Sequence, residues 1–485
     1  MLAASPVSSE TSYSVRVALG TGTVLAGVAG AVLGDALAGV VSAFAVAAFL
    51  AGALQPRLLA PLIAAGCVVL PPYVGWLLPG GAFINMQRGV MYGGLLGVTL
   101  WGLRERMEGR WLVPIETLRH RPLRLSLLLL CSAWLIAPFL AAPVGTGNAV
   151  RALNAALYEA LALWVGLSFT KGADGRRTLQ LVLALLLLYT VPYWVYELQA
   201  GHTAFAWYVP PLPDLLSGRG QIFRNGRIRV AATFGQPLAF DQFLLIASPA
   251  AFSLVFTRLP RLLGVGLAAL GVAALVATGS RSPWLAIVLA GGALFILRRR
   301  RLRVALAIAA VALAVAAIPV VQALRAHSLA REAKSLLLTR FSRRSEAEFS
   351  AASRVFLTLG ALREIRARPV TGYGVNATAT SARLPSVDDY YLAEAVEQGV
   401  VVAGLASIAL LAAWLGLARA RLPRGALWIV FGVGAYLVEW LFVGLHDTSP
   451  LMFLVLGSLF ASQASVGPEV RAVGPTPILR LEGGI

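Results

Sequence analysis

The chain has 485 residues, of which 58% are hydrophobic and only 13% charged, with a formal net charge of +19 and a mean hydropathy of +0.77. Soluble domains are about 45–50% apolar and about 25% charged, so a water-soluble fold is excluded and an integral membrane protein is expected. The basic excess is nearly all arginine, Lys171 and Lys334 being the only lysines; it sits in short clusters between apolar runs, as topology signals do, and no nucleic-acid-binding signature accompanies it.

A spanning helix needs about 20 apolar residues. Runs of this kind lie near 15–33, 37–54, 58–78, 84–103, 125–142, 153–170, 178–198, 238–256, 262–279, 284–297, 304–322, 396–418, 426–444 and 449–463. The expected fold is all-α: a polytopic helical bundle of about 12–14 spans filling residues 1–463, with its first run retained as an uncleaved span. The two cysteines, Cys67 and Cys131, both fall inside apolar runs, so no disulfide is expected.

Orientation follows from the short loops. Arg104 to Arg124, Lys171 to Arg177, Arg258 to Arg261, Arg298 to Arg303 and Arg419 to Arg424 are basic, and counting spans places all five on one side. That side is expected to be cytoplasmic, together with both termini and a disordered Gly- and Pro-rich tail over 464–485. Two segments on the opposite, periplasmic side are too long to be connectors: 199–236 and 322–394. Within the second, Ser345 and Glu348 have capping-box spacing, and Phe349, Val355, Phe356, Leu359, Leu362 and Ile365 recur at helical spacing. This predicts an amphipathic helix, either over a cavity or membrane surface or simply capping the bundle.

Four features fall on that face. Arg227-Ile-Arg229 precedes Val-Ala-Ala-Thr-Phe-Gly-Gln-Pro237, and Thr278-Gly-Ser-Arg-Ser-Pro-Trp284 is a tight turn between two runs. Ser353-Arg354 lies on the amphipathic helix, and Pro369-Val-Thr-Gly-Tyr-Gly374 is followed by Asp388-Asp389-Tyr-Tyr-Leu392 and Glu397-Gln-Gly399. Arg281 sits in a Gly/Ser turn at a helix start, where free N–H groups, the helix dipole and a guanidinium together suit phosphate; a snorkelling arginine at a span end is the alternative. Arg224, Arg227 and Arg229 of one loop and Arg354 of another would form a pyrophosphate clamp if their loops converge, and are solvated surface charges if they do not. Asp388 or Asp389 suits a general base toward a hydroxyl or a helix N-cap. His446, beside Asp447, is a weaker candidate for the same proton. No H-E-x-x-H, Cys/His cluster, P-loop or complete dinucleotide fingerprint occurs, so neither a metal nor a cofactor is expected, and any donor must arrive activated.

In this order the four features resemble the O-antigen ligase and polysaccharide polymerase family, bacterial inner-membrane glycosyltransferases that use undecaprenyl-diphosphate-linked sugars. The resemblance covers roughly 200–460. Arg229 with Ala-Thr-Phe-Gly-Gln-Pro237 stands for the family's Arg and G-T-F-x-x-P-N, with Ala232 for the Gly and Leu238 for the Asn. Thr278 to Trp284, Ser353-Arg354, Pro369 to Gly374 and Asp388 to Leu392 ahead of Glu397-Gln-Gly399 match the remaining motifs in turn. The family's ligases carry a His where this chain has Asp388; the Asp form is more like the polymerases.

The resemblance implies a glycosyltransferase-C-like membrane bundle and a metal-independent polymerase joining lipid-linked repeat units on the periplasmic face. Arg229, Arg227, Arg281 and Arg354 would bind the diphosphate, and Asp388, Asp389 or His446 would act as base. Bilayer lipid and an undecaprenyl-diphosphate-linked oligosaccharide are the implied partners, with chain-length or export proteins as further candidates. The alternatives are a ligase transferring glycan to lipid A core or protein, and a lipid-linked glycan transporter, for which charged residues in mid-span and internal repeats would be the signal.

Overall fold

The computed structural model describes Thr23 and residues 36–77, 83–107, 121–169, 172–206, 208, 223–224, 227–257, 260–298, 346–375, 377, 389–420, 422–443 and 448–464. These form an all-helical membrane bundle with two short β-hairpins. In lipid, no water is present to satisfy backbone polar groups, so each apolar run closes its own hydrogen bonds as a helix. The helices are α1 (Ala36–Leu54), α2 (Leu59–Val68), α3 (Met86–Met107), α4 (Arg121–Ala141), α5 (Thr146–Phe169), α6 (Gly172–Ala200) and α7 (Pro237–Ser253). They continue with α8 (Arg261–Ala277), α9 (Ser282–Arg298), α10 (Glu346–Ala367), α11 (Tyr390–Arg419), α12 (Arg424–Glu439) and α13 (Ser449–Ala464). Among the described residues six helical stretches are long and apolar enough to cross a membrane: Ala36–Leu54, Pro122–Val144, Thr146–Ser168, Gly175–Ala200, Pro237–Phe256 and Tyr390–Arg419. Shorter apolar helices flank them. The expected run 15–33 apart from Thr23, the run 304–322, and the expected tail 464–485 apart from Ala464, which ends α13, lie outside the described residues.

One expected span is different. The run 58–78 is helical only over Leu59–Val68, because Pro71 and Pro72 stop it; Gly75–Leu77 (β1) then pairs antiparallel with Phe83–Asn85 (β2). Ten helical residues rise about 15 Å, half the hydrocarbon thickness of about 30 Å. The side expected for the N-terminus depended on that run. The mutual agreement of the five basic loops does not, since all of them follow Met86.

Contacts gather the described edges of several basic loops at one end of the bundle. Arg298 Nη2 donates to the carbonyl of Ala420 at 3.1 Å. Gly416, near the end of α11, abuts Pro122 at the start of α4, and Gly425 abuts Ser253 and Phe256. In the core, α5 and α13 approach closely where Gly166 and Gly457 face one another: a Cβ on either would lie 2.2–2.3 Å from a carbonyl oxygen of the other helix. Small residues let membrane helices meet in this way.

Candidate active site

At the opposite end the sequence features are joined by bonds between them. The T-G-S-R turn closes α8 and opens α9. Its Gly279 takes φ +63, and Thr278 and Ser280 are buried. Arg229, half-buried, reaches into this turn: Nε donates to the Thr278 carbonyl at 3.0 Å and Nη2 to Ser280 Oγ at 2.5 Å. The backbone adds Val230 N–H to the Ala277 carbonyl at 3.4 Å. Below them Asp241 of α7 is fully buried, within electrostatic reach of Ser280, Thr278 and Arg229, though its oxygens complete no well-formed hydrogen bond among the described residues. Arg281 is exposed, immediately ahead of the first residue of α9.

The next residue leads to the second part of the site. Ser282 Oγ donates to Glu439 Oε1 at 2.6 Å, and Glu439 is fully buried at the end of α12. The following residue, Trp440, accepts the Tyr390 N–H on its carbonyl at 2.8 Å and stacks on the Tyr390 ring with centroids 3.8 Å apart. Tyr391 OH donates to the Leu437 carbonyl at 2.9 Å. Tyr390 and Tyr391 are thereby anchored to the helix whose Glu439 holds Ser282 beside the T-G-S-R turn. Asp389 is the N-cap of α11, its side chain accepting the Leu392 N–H at 3.0 Å. Burial pushes its carboxyl above the ordinary aspartate range, opposed by the Leu392 and Tyr391 N–H groups.

The P-x-x-G-x-G and E-x-G motifs are one structural unit. Helix α11 breaks at Gly399, which takes φ +82 and ψ 162. The loop 369–374 fills the break: Tyr373 N–H donates to Val396 O at 2.9 Å, Gly374 N–H to Glu397 O at 2.8 Å, and Val400 N–H to Pro369 O at 2.8 Å. A Cβ on Gly372 would lie 2.3 Å from Glu397 O, and one on Gly399 2.1 Å from Val370 O, so both approaches require glycine. The loop also holds α10. Tyr373 OH donates to Glu364 at 2.6 Å, the Arg368 guanidinium lies 4.7 Å over the Tyr373 ring, and Ala361 and Ile365 pack against Leu392, Ala393 and Val396. The expected helix is thus present, begins one residue after Ser345, and rests on α11 through Ala361 and Ile365; Leu359 and Leu362 of the expected apolar stripe are exposed, so the described half shows no single apolar face.

Arg227 lies in the short strand Arg227–Ile228 (β4), paired with Phe223–Arg224 (β3), and Arg354 lies in α10. Their side chains, like the whole of Asp388 and His446, fall outside the described residues. Among the described residues no group of three or more His, Cys, Asp or Glu side chains is placed to hold a metal ion. Glu197 and Glu439 join the site without a motif of their own to mark them, and Ser282, inside the Thr278 to Trp284 motif, joins it through Glu439. Glu197 stands at the end of the run 178–198, where an acid reads as an ordinary boundary residue, and Glu439 lies within the run 426–444.

No curated protein matches the chain. Residues 266–400 match the family model described as O-antigen ligase. The matched segment contains the T-G-S-R turn, α10, the loop that fills the α11 break and the break itself, while Arg229 lies ahead of it. Over this segment the multi-pass membrane chain is similar to the O-antigen ligase family (Wzy_C).

Proposed function

We propose that the chain is a polysaccharide polymerase that joins undecaprenyl-diphosphate-linked repeat units at the motif-bearing, periplasmic end of the bundle in a bacterial inner membrane. The observation that carries this is the staple of Arg229 across the Thr278–Ser280 turn, which presents the exposed Arg281 at the mouth of a 17-residue helix. Arg281 and Arg229, with Arg227 and Arg354 from the adjoining segments, hold the diphosphate and stabilise its charge as the glycosyl–phosphate bond breaks. The acceptor sugar hydroxyl attacks the anomeric carbon, the lipid diphosphate leaves with the bonding pair, and the hydroxyl proton passes to a base. Asp388 is the favoured base; Asp389 is already committed as a helix cap, and His446 is a weaker third candidate. Arginines supply the positive field, so the chemistry needs no metal.

The ligase is the second reading, favoured by the description of the matching family model itself. The two differ in what accumulates. In a strain lacking the protein, loss of a polymerase leaves single repeat units on the lipid, whereas loss of a ligase leaves long polymer there. Restoration with Arg281→Ala is expected to leave single units unjoined; full-length polymer from that variant would refute the diphosphate role. Transfer by the purified protein on a lipid-linked repeat unit checks the reaction directly.

A further inference from the structure

We infer that Glu197 is the positioning residue for the Arg229 segment, a role that rests on the diphosphate reading above. Glu197 ends α6, on a different part of the chain from any motif, and is fully buried. Its carboxylate accepts three backbone N–H groups: Ala231 at 2.7 Å and Ala232 at 2.9 Å on Oε2, and Ala204 at 3.1 Å on Oε1. Successive N–H groups on one oxygen form the concavity that elsewhere binds free anions; here the protein's own carboxylate occupies it.

The backbone it holds is strained. Ala232 takes φ +48, and among the described residues it is the one non-glycine with positive φ. An alanine occupies the left-handed region at an energetic cost, and such a conformation persists only where surrounding contacts over-determine it. Two of the three Glu197 bonds fall on this residue and its predecessor. Gly235 three residues on, at φ +71, is packed so tightly on Tyr73 that a Cβ would lie 2.1 Å from the ring. The segment is therefore clamped at both ends of its 3-10 turn (Ala232–Phe234), with Arg229 two residues ahead of the Glu197 clamp. The third bond ties the same carboxylate to the 201–206 segment, so one side chain fixes both descending and returning strands of the first long loop. Glu197 touches no reacting group; it sets the angle from which Arg229 reaches Thr278 and Ser280.

The test uses the full-length protein in lipid nanodiscs with a lipid-diphosphate-linked repeat unit as donor. Glu197→Gln replaces one acceptor oxygen with an amide that donates, and Glu197→Asp keeps the carboxylate but shortens its reach. In Glu197→Gln, amide hydrogen exchange over 229–235 is expected to rise about tenfold or more as its bonds are lost, and donor KM about tenfold, with kcat nearly kept. Glu197→Asp should fall between the two and carries the same readouts if the glutamine variant does not fold. In an Arg229→Ala background the glutamine change should have no further effect on KM, a non-additivity that a general loss of stability would not produce. Unchanged exchange over 229–235 overturns the inference, and so does a KM effect that multiplies in full with that of Arg229→Ala. A wild-type protein that neither binds nor transfers from the donor refutes the proposed function instead, while the exchange result still decides for or against Glu197.

Discussion

Replacing Gly399 with alanine tests whether the filled helix break holds the site together. At φ +82 and ψ 162 the residue occupies a region open essentially to glycine, and forcing another residue there costs about 1–3 kcal/mol. The added Cβ would lie 2.1 Å from Val370 O and 3.0 Å from Pro369 O, which are backbone atoms that move only with the loop. The three hydrogen bonds across the break, Tyr373 to Val396, Gly374 to Glu397 and Val400 to Pro369, are then at risk, each contributing about 1 kcal/mol net. Strain and two or three lost bonds together come to about 3–6 kcal/mol. That is enough to undock the loop and not enough to dissolve a bundle of this size. Gly399→Ala is expected to keep its helical content, lose exchange protection over 369–375 and lose most glycan transfer. Gly404→Ala, five residues along the same helix with open space at its Cβ, serves as the control and should be neutral or slightly stabilising. Wild-type protection of 369–375 in Gly399→Ala would refute the reasoning.

Two further variants separate holding from binding. Arg229→Lys keeps the charge but cannot donate from Nε to Thr278 and from Nη2 to Ser280 together; it should lower thermal stability by an amount equivalent to about 1–3 kcal/mol and weaken donor use, whereas Arg281→Ala, at an exposed position, should leave the melting temperature unchanged within error. Asp389→Ala should cost about 1 kcal/mol by removing the α11 cap, while Asp389→Asn keeps most of it. Burial raises the folded-state pKa of Asp389 above its unfolded value, so its contribution is fully present below the ordinary aspartate range and declines as pH rises through the folded pKa. Asp389→Asn should abolish that part of the pH slope, measured by thermal unfolding in detergent from the ordinary aspartate range upward.

The apolar runs were legible because lipid leaves a backbone few choices: runs such as 178–198 and 396–418 became α6 and α11 with ends moved by a few residues. The run 58–78 misled because hydropathy ignores what Pro71-Pro72 does to a helix. The motifs were legible as residue patterns, and their purpose was not. Nothing in P-x-x-G-x-G and E-x-G read separately says that one fills the break in the other; that pairing is tertiary, set by glycines whose missing Cβ atoms face backbone from another segment. Arg229 read as a free cation for an anion, and part of its hydrogen-bonding capacity turns out to be spent on the neighbouring motif. Glu197 and Glu439 carried little local signal: apart from Ala204, seven residues from Glu197, their named partners lie 34 and more residues away.

The buried acids bear on whether the bundle conducts or holds. A carboxylate inside a membrane bundle is costly and marks function, and residues such as Glu159, Asp241 and Glu439 inside apolar helices are what a transport pathway would display. Their bonds run otherwise. Glu197 ends on the backbone of Ala204, Ala231 and Ala232; Glu439 ends on Ser282; Asp241 lies against Ser280, Thr278 and Arg229. Glu159 accepts from Trp134 at 2.9 Å, and Glu394 from Gln398. Glu197 thus holds the backbone just after Arg229, while Asp241 and Glu439 lie against the Thr278–Ser282 turn that Arg229 reaches. For Glu197 and Glu439 the desolvation cost is offset by bonds to loop backbone and to Ser282, and these bonds fix the end of the bundle that carries Arg281, as the proposed site for a lipid-linked anion needs.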